Sequence, residues 1–168
     1  MKEIKTCAII GSTHNELALG FDEKTPEAMR LKKLVVETVL GVIDAGCDTI
    51  VTSLSFGVEL WAAEACSLLK QSGCPVKLVC IPVSETMTND WPEPIRDRFF
   101  SFTELSDEFL EQPLVDFDDP ARKIERDEKF SDDYIVSNSD VVVVVGEELG
   151  ARDFDIMSRA KDRVVRVK

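Results

Sequence analysis

Ser53, Ser55, Gly57 and Glu59 fall within one short stretch, between the run Thr49-Ile50-Val51 and the run Leu60-Trp61-Ala62-Ala63-Glu64-Ala65. The first run is β-branched and the second is rich in helix formers. A strand, a small-residue turn with a glycine, and a helix with a carboxylate near its start form a recurring ligand-site geometry. The first turn of such a helix offers unpaired N–H groups and the positive end of the dipole, which suit phosphate or carboxylate. Glu59 is placed to hydrogen-bond a ribose hydroxyl or to act as general acid or base in N-glycosidic cleavage. Its competing role is electrostatic support of the helix start. Ser53 and Ser55 carry hydroxyls that can donate to phosphate oxygens or cap the helix. Gly57 lets the chain turn sharply and lets a ligand approach the backbone. Glu64 lies five residues beyond Glu59, about 500° further round the helix, so the two carboxylates do not share a face. Glu64 reads as structural or solvated.

The elements that must position these residues alternate. Ile4 to Ile10 reads as a first strand, with Gly11-Ser12-Thr13 as its exit turn. Pro26 starts a helix to about Ala45, which Gly46 stops. Strand Thr49 to Thr52, helix Val58 to Gln71 and strand Val76 to Ile81 follow. Trp91 to about Thr103 reads as helix and Glu108 to Glu111 as a short strand. A helix from about Pro120 to Val136 leads to the five-valine block Val141 to Val145, the strongest strand signal in the chain. A short helix around Phe154 to Lys161 and a strand Val164 to Val167 complete the pattern. Strands this apolar, separated by helices, predict a three-layer α/β fold: one domain over residues 1–168, with a mostly parallel sheet covered by helices on both faces. Ligands of such folds bind at the carboxyl ends of the strands, near the switch in strand order. That edge is expected to include residues 11–20, 53–59, 82–91, 112–120 and 146–152.

Further candidates lie along it. Trp91, between Asp90 and Pro92, can stack on a base or cover the sheet. The one histidine, His14, follows the first strand and titrates in the range useful for acid–base work, though a polar loop role competes. Arg126 is the best-placed cation for an anionic ligand, with surface pairing as the alternative. Asp116, Asp118 and Asp119 do not have calcium-loop spacing and read as a solvated loop. Asp140, at the amino end of the valine strand, is expected in a turn role. No metal site is expected, and the residues name no cofactor.

A formal charge of −12 over 168 residues works against a nucleic-acid backbone as partner, because that affinity rests on clustered Lys and Arg. The first residues lack the apolar segment of a signal peptide, and the longest apolar run is too short to span a membrane. The five cysteines form no C-x-x-C pair and read as reduced, mostly buried residues of a cytoplasmic protein.

The segment Phe56-Gly57-Val58-Glu59-Leu60-Trp61-Ala62-Ala63-Glu64-Ala65 resembles the signature of the YpsA-like branch of the SLOG superfamily. Other pieces fall in the same order: Gly11, Gly20-Phe21-Asp22-Glu23, Lys77 to Pro82, Trp91, Arg126-Asp127, and Asp133 to Asp140 before the valines. The resemblance implies a Rossmann-like fold and a site for a nucleotide-derived ligand resembling ADP-ribose, NAD or a nucleoside monophosphate. Gly11, Ser12, Ser53, Ser55, Gly57, Glu59, Trp91 and Arg126 would contact that ligand. Leu54 stands where the family pattern has a glycine, and Gly146-Glu147-Glu148-Leu149-Gly150-Ala151 replaces a Gly-Gly-Thr turn. Both changes are expected to remove backbone room for a phosphate, and the two glutamates to repel it. Two other readings stay open. One is an N-glycosidic hydrolase or deoxyribosyltransferase-like enzyme using Glu59; the other is a protein-interaction module with a decayed pocket. A homo-oligomer is compatible with all three.

Overall fold

The computed structural model describes residues 3–14, 16–17, 20–84, 86–111 and 119–168. Its strands are β1 (Thr6–Gly11), β2 (Thr49–Thr52), β3 (Lys77–Cys80), β4 (Glu108–Phe109), β5 (Val141–Val145) and β6 (Val164–Val167). Its α-helices are α1 (Pro26–Asp44), α2 (Val58–Gln71), α3 (Glu93–Leu105), α4 (Pro120–Asn138) and α5 (Ala151–Ala160). The six strands form one sheet in the order β4-β3-β2-β1-β5-β6, with every ladder parallel. The chain is thus a three-layer α/β fold of Rossmann-like type.

Period-two alternation sorts the strand side chains between two cores. Cys7, Ile9, Val141, Val143 and Val145 pack with α1, α2 and α3, whereas Ala8, Ile10, Val142 and Val144 pack with Ile135 of α4 and Ile156 of α5. Burial on both faces explains why β5 is continuously valine. From β1 the chain winds outward through β2 to β4, then returns to the other side of β1 as β5. The switch point is therefore the paired ends of β1 and β5, where Gly11 meets Val145.

Local chemistry sets the boundaries. Thr25 caps α1, its side chain accepting from the Ala28 N–H at 3.1 Å, with Pro26 in the first turn. Asp119 caps α4 by accepting from the Ala121 N–H at 3.0 Å. Asp116 and Asp118 lie outside the described residues. At the opposite edge of the sheet, one carboxylate oxygen of Asp140 accepts from the Lys5 and Thr6 N–H groups at 3.0 and 2.9 Å and ties down the start of β1. The last helix begins earlier than its apolar pattern implies, at Ala151, because the Asp153 carboxylate accepts from the Gly150 N–H at 3.0 Å and closes a first turn there. No helix is long and apolar enough among the described residues to cross a membrane.

Leu54 leaves β2 in the left-handed region, at φ 67°, with its side chain wholly buried. The Thr52 hydroxyl holds this turn, accepting from the Leu54 N–H at 3.2 Å and donating to the Glu59 carbonyl at 2.7 Å. The backbone conformation costs roughly 1–2 kcal/mol for a residue with a Cβ. Burying a leucine gains about 1.5–3 kcal/mol, so packing holds the residue there. The side chain packs in the core on the side of α1, α2 and α3. Leu54→Ala should therefore lose the packing and keep the strain, whereas Leu54→Gly loses the packing and relieves the strain. Urea denaturation is expected to show the glycine variant at least as stable as the alanine variant, by up to about 1 kcal/mol, reversing the usual order. A glycine variant clearly less stable than the alanine variant would show that Leu54 carries no strain.

Candidate functional site

Two loops meet over the sheet edge and join through their backbones. The His14 N–H donates to the Phe56 carbonyl at 3.0 Å, the Val58 N–H donates to the Ser12 carbonyl at 3.0 Å, and Thr13 forms an antiparallel bridge with Gly57. Gly57 sits at φ 124°, and a Cβ there would collide with the Ser12 carbonyl oxygen and the Thr13 Cα. The close approach that requires a glycine is thus to the chain's own β1 exit. The first amide of α2 is already spent on a carbonyl. At Gly11, a Cβ would run into the Val145 carbonyl, so this residue serves the contact between β1 and β5.

Beneath this join lies Glu59, which has no exposed surface. Its Oε1 accepts from the Ser53 hydroxyl at 2.7 Å and from Arg152 Nη1 at 2.9 Å. The Ser53 and Ser55 hydroxyls are 3.1 Å apart. Arg152 Nε in turn donates to Asp132 Oδ1 at 2.6 Å, so one guanidinium joins α2, α4 and α5. Burial pushes the Glu59 carboxyl up, against the pull of Arg152 and Ser53. Burial pulls the Arg152 guanidinium down, but Glu59 and Asp132 outweigh it and hold the cation firmly charged. Among the described residues, Glu59 Oε2 and Arg152 Nη2 are buried and have no hydrogen-bond partner. They are the second terminal atoms of the same carboxylate and guanidinium that meet through Oε1 and Nη1. Such orphans are rare in folded proteins.

The start of α5 lies against carboxylates of the chain itself. Glu16 Oε2 accepts from the Thr13 N–H at 2.9 Å and from the Thr13 hydroxyl, and a Cβ at Gly150 would collide with Glu16 Oε1. Asp153, 3% exposed, fills the next position of the same helix start. Burial and the nearby Glu59 push its carboxyl up to about 7, with the Gly150 N–H and Arg152 acting the other way. Ser12 Oγ donates to the Glu148 carbonyl, and the adjoining cleft, lined by Ser12, Arg30, Leu31, Gly146 and Glu148, has a volume of about 60 Å³. On the α4–α5 side, Asp132 lines a groove of about 490 Å³ with Glu125, Glu128, Lys129, Asp155 and Arg159.

The other sequence candidates are distributed around this cluster. Trp91 is buried, edge-to-face on Phe56 and Phe99 at centroid distances of 6.1 and 5.7 Å. His14 stacks on Phe21 at 4.8 Å, and its Nδ1 is buried without a described partner. Arg126 is on the exposed side of α4, and the cation that meets Glu59 is Arg152. Glu64 belongs to a separate network: Arg98 donates to Glu64 at 2.8 Å and to Glu23, which also accepts from Trp61 Nε1 at 2.6 Å. Sequence reasoning placed residues 146–152 at the edge but did not single out Arg152, Asp153, Asp132 or Glu16. The Gly150-Ala151-Arg152-Asp153 run was the available signal, since an aspartate three residues after a glycine marks a helix start. No cluster of three or more His, Cys, Asp or Glu that could hold a metal occurs among the described residues.

A carboxyl raised to about 7 in the fold, against the usual value near 4 in the unfolded chain, binds its proton more tightly when native. Its stabilising effect is complete below about pH 4 and is lost as pH rises through about 7. Asp153→Asn keeps an acceptor for the Gly150 N–H and removes the titration. Denaturation from pH 5 to pH 8 is expected to show the wild type losing stability relative to this variant, by on the order of 2 kcal/mol. A pH-independent difference would place the Asp153 carboxyl in the ordinary range.

The profile of the YpsA family (YspA SLOG family) matches residues 7–162. A UPF0398 protein of Listeria innocua is 30% identical over 90 residues, covering 54% of this chain and 49% of its own length. Another, of Halalkalibacterium halodurans, is 25% identical over 145 residues, covering 86% of this chain and 74% of its own. A third, of Enterococcus faecalis, is 30% identical over 107 residues, with 64% and 59% covered. This chain thus spans from about half to three quarters of the length of these relatives. The parallel sheet with its switch at β1 and β5, the Gly57-to-Glu64 segment at the start of α2 and the profile match over residues 7–162 agree: the chain belongs to the YpsA family of SLOG proteins.

Proposed function

We propose that the protein binds a nucleotide-derived ligand at the carboxyl edge of the sheet and grips it chiefly through a sugar hydroxyl. The observation that carries this reading is the pair of orphaned buried atoms, Glu59 Oε2 and Arg152 Nη2. A carboxylate oxygen only accepts and a guanidinium nitrogen only donates, so a group serving both must donate and accept at once. A hydroxyl does this; a fully ionised phosphate only accepts. At the helix starts, the first amide of α2 goes to the Ser12 carbonyl and the Gly150 N–H before α5 goes to Asp153, with the Glu16 carboxylate beside Gly150, which leaves fewer donors for a phosphate. Affinity is therefore expected to reside in the sugar and base more than in phosphate. All five cysteines are free and all but Cys74 are buried, which supports placing the protein in the cytoplasm.

The raised Glu59 carboxyl supports a second reading, an N-glycosidic hydrolase or transferase in which Glu59 delivers a proton to the departing base. Ser53 and Arg152 would then orient the carboxyl, each by its contact with Oε1. Base release from nucleoside monophosphates, compared between wild type and Glu59→Gln, separates catalysis from binding alone.

The binding reading is tested by thermal and calorimetric titration with ADP-ribose, NAD, AMP and adenosine. Ligand at about a hundred times Kd stabilises the fold by about 2.7 kcal/mol. Adenosine is expected to retain most of the affinity of AMP, and Glu59→Gln is expected to weaken both by about tenfold or more, as the loss of a buried charged hydrogen bond implies. Absence of stabilisation by every one of these compounds at millimolar concentration would overturn the proposal.

A further inference from the structure

Two of the five cysteines meet inside the fold. Cys7 is on β1, and Cys47 is in the turn that leads from α1 into β2. Their side chains are hydrogen-bonded neighbours, although far apart in sequence. The backbone brings them together. Cys7 faces the layer of α1, α2 and α3, where Cys47 also packs. Gly46, at φ 109°, lets the chain reverse after α1 so that Cys47 drops back into the core. The Cys47 N–H then donates to the Val42 carbonyl at 3.0 Å, and the Lys5 carbonyl accepts from the Asp48 and Thr49 N–H groups at 3.0 and 3.1 Å. The Cys47 turn is thus fastened on one side to α1 and on the other to the residue that precedes β1.

The two sulfurs are not equivalent. The hydrogen bond from Cys7 lowers the Cys47 thiol, against burial and the nearby Asp140 and Asp48 carboxylates. The same contact, followed by burial, raises the Cys7 thiol. Cys47 therefore takes the thiolate form first, and Cys7 keeps its proton. Access is unequal in the same sense. Cys7 is fully buried, whereas Cys47, 4% exposed, lies beneath a turn whose residues Ala45, Gly46 and Asp48 are all exposed. A stabilised thiolate with a second thiol in reach is the arrangement of a redox-sensing pair. Cys66 and Cys80 differ, since burial pushes each of their thiols up to about 12.

We infer that Cys7 and Cys47 form a reversible disulfide, with a hydroperoxide as the oxidant. The Cys47 sulfur attacks one oxygen of the peroxide: an S–O bond forms and the O–O bond breaks. The departing hydroxide takes up the proton that Cys47 released and leaves as water. Sulfur gives up two electrons and the peroxide gains them. The Cys7 sulfur then attacks the Cys47 sulfur: the S–S bond forms, the S–O bond breaks, and a second hydroxide leaves with the Cys7 proton as water. A dithiol reductant reopens the bond by exchange. The bond would join the α1–β2 turn to β1 at the amino end of the sheet, away from Glu59, so the inference is independent of any ligand there.

Oxidation of the folded full chain with hydrogen peroxide tests it, with thiols counted after denaturation and linked peptides mapped by mass spectrometry. The reduced chain has five free thiols. Peroxide is expected to consume two, dithiothreitol to restore them, and the map to show Cys7 joined to Cys47. C74S removes the one cysteine that is not buried and is expected to lose the same two thiols. In C47S, checked for folding by circular dichroism, Cys7 is expected to oxidise at least about tenfold more slowly, having lost the sulfur that reacts first. The wild-type map decides the matter without any variant. Absence of a Cys7–Cys47 link would overturn the inference, whether the thiols survive or pair with Cys66, Cys74 or Cys80 instead. So would Cys7 oxidation at an unchanged rate in folded C47S.

Discussion

A carboxylate removed from water must be matched by a cation that can reach it, and Glu59 is matched by Arg152 from the opposite layer. α1, α2 and α3 cover one face of the sheet, and α4 and α5 cover the other. The ion pair therefore passes over the sheet edge and fixes the two layers relative to each other. Leaving either charge alone in the interior costs about 3–5 kcal/mol, far more than the intact pair contributes. That asymmetry constrains the neighbours. Ser53 must turn its hydroxyl inward, Thr52 must hold the α2 entry, and Asp132 must take the Nε side of the guanidinium.

The same logic of filled valences governs the two helix starts at the edge. α2 gives its first amide to Ser12, and α5 faces the carboxylates of Glu16 and Asp153. The partial positive charge of a helix end is satisfied equally by a ligand anion or by an internal one. Here the chain supplies the internal one. The glutamates expected to repel phosphate, Glu147 and Glu148, are exposed and contribute through the Glu148 carbonyl, which receives Ser12. The turn is thus tied to the β1 exit through its backbone.

Much of this architecture was legible in the sequence. β2, β5, β6 and α2 have the bounds expected; Ser53 follows β2, Gly57 and Ser72-Gly73 bracket α2, and Gly146 follows β5. The start of α5 was not, since the apolar pattern begins at Phe154 whereas a side-chain cap starts the helix at Ala151. That displacement hid Arg152, whose contact with Glu59 joins positions 93 residues apart and leaves no local trace. The filling of the α2 start is equally silent, being a contact of main chain with main chain. Trp91 and Trp61 look alike in sequence, with Trp91 in a loop by the edge, yet both end in one aromatic cluster because Phe56 offers an edge to each.

That cluster makes the protein optically lopsided. Its two tryptophans, Trp61 and Trp91, both lie in the layer beneath α1, α2 and α3, whereas its one tyrosine, Tyr134, packs in the layer of α4 and α5. Indole emission therefore reads one side of the sheet and phenol emission the other. Each layer carries an intrinsic fluorophore of its own, so the order in which the two layers loosen can be followed in the unlabelled chain.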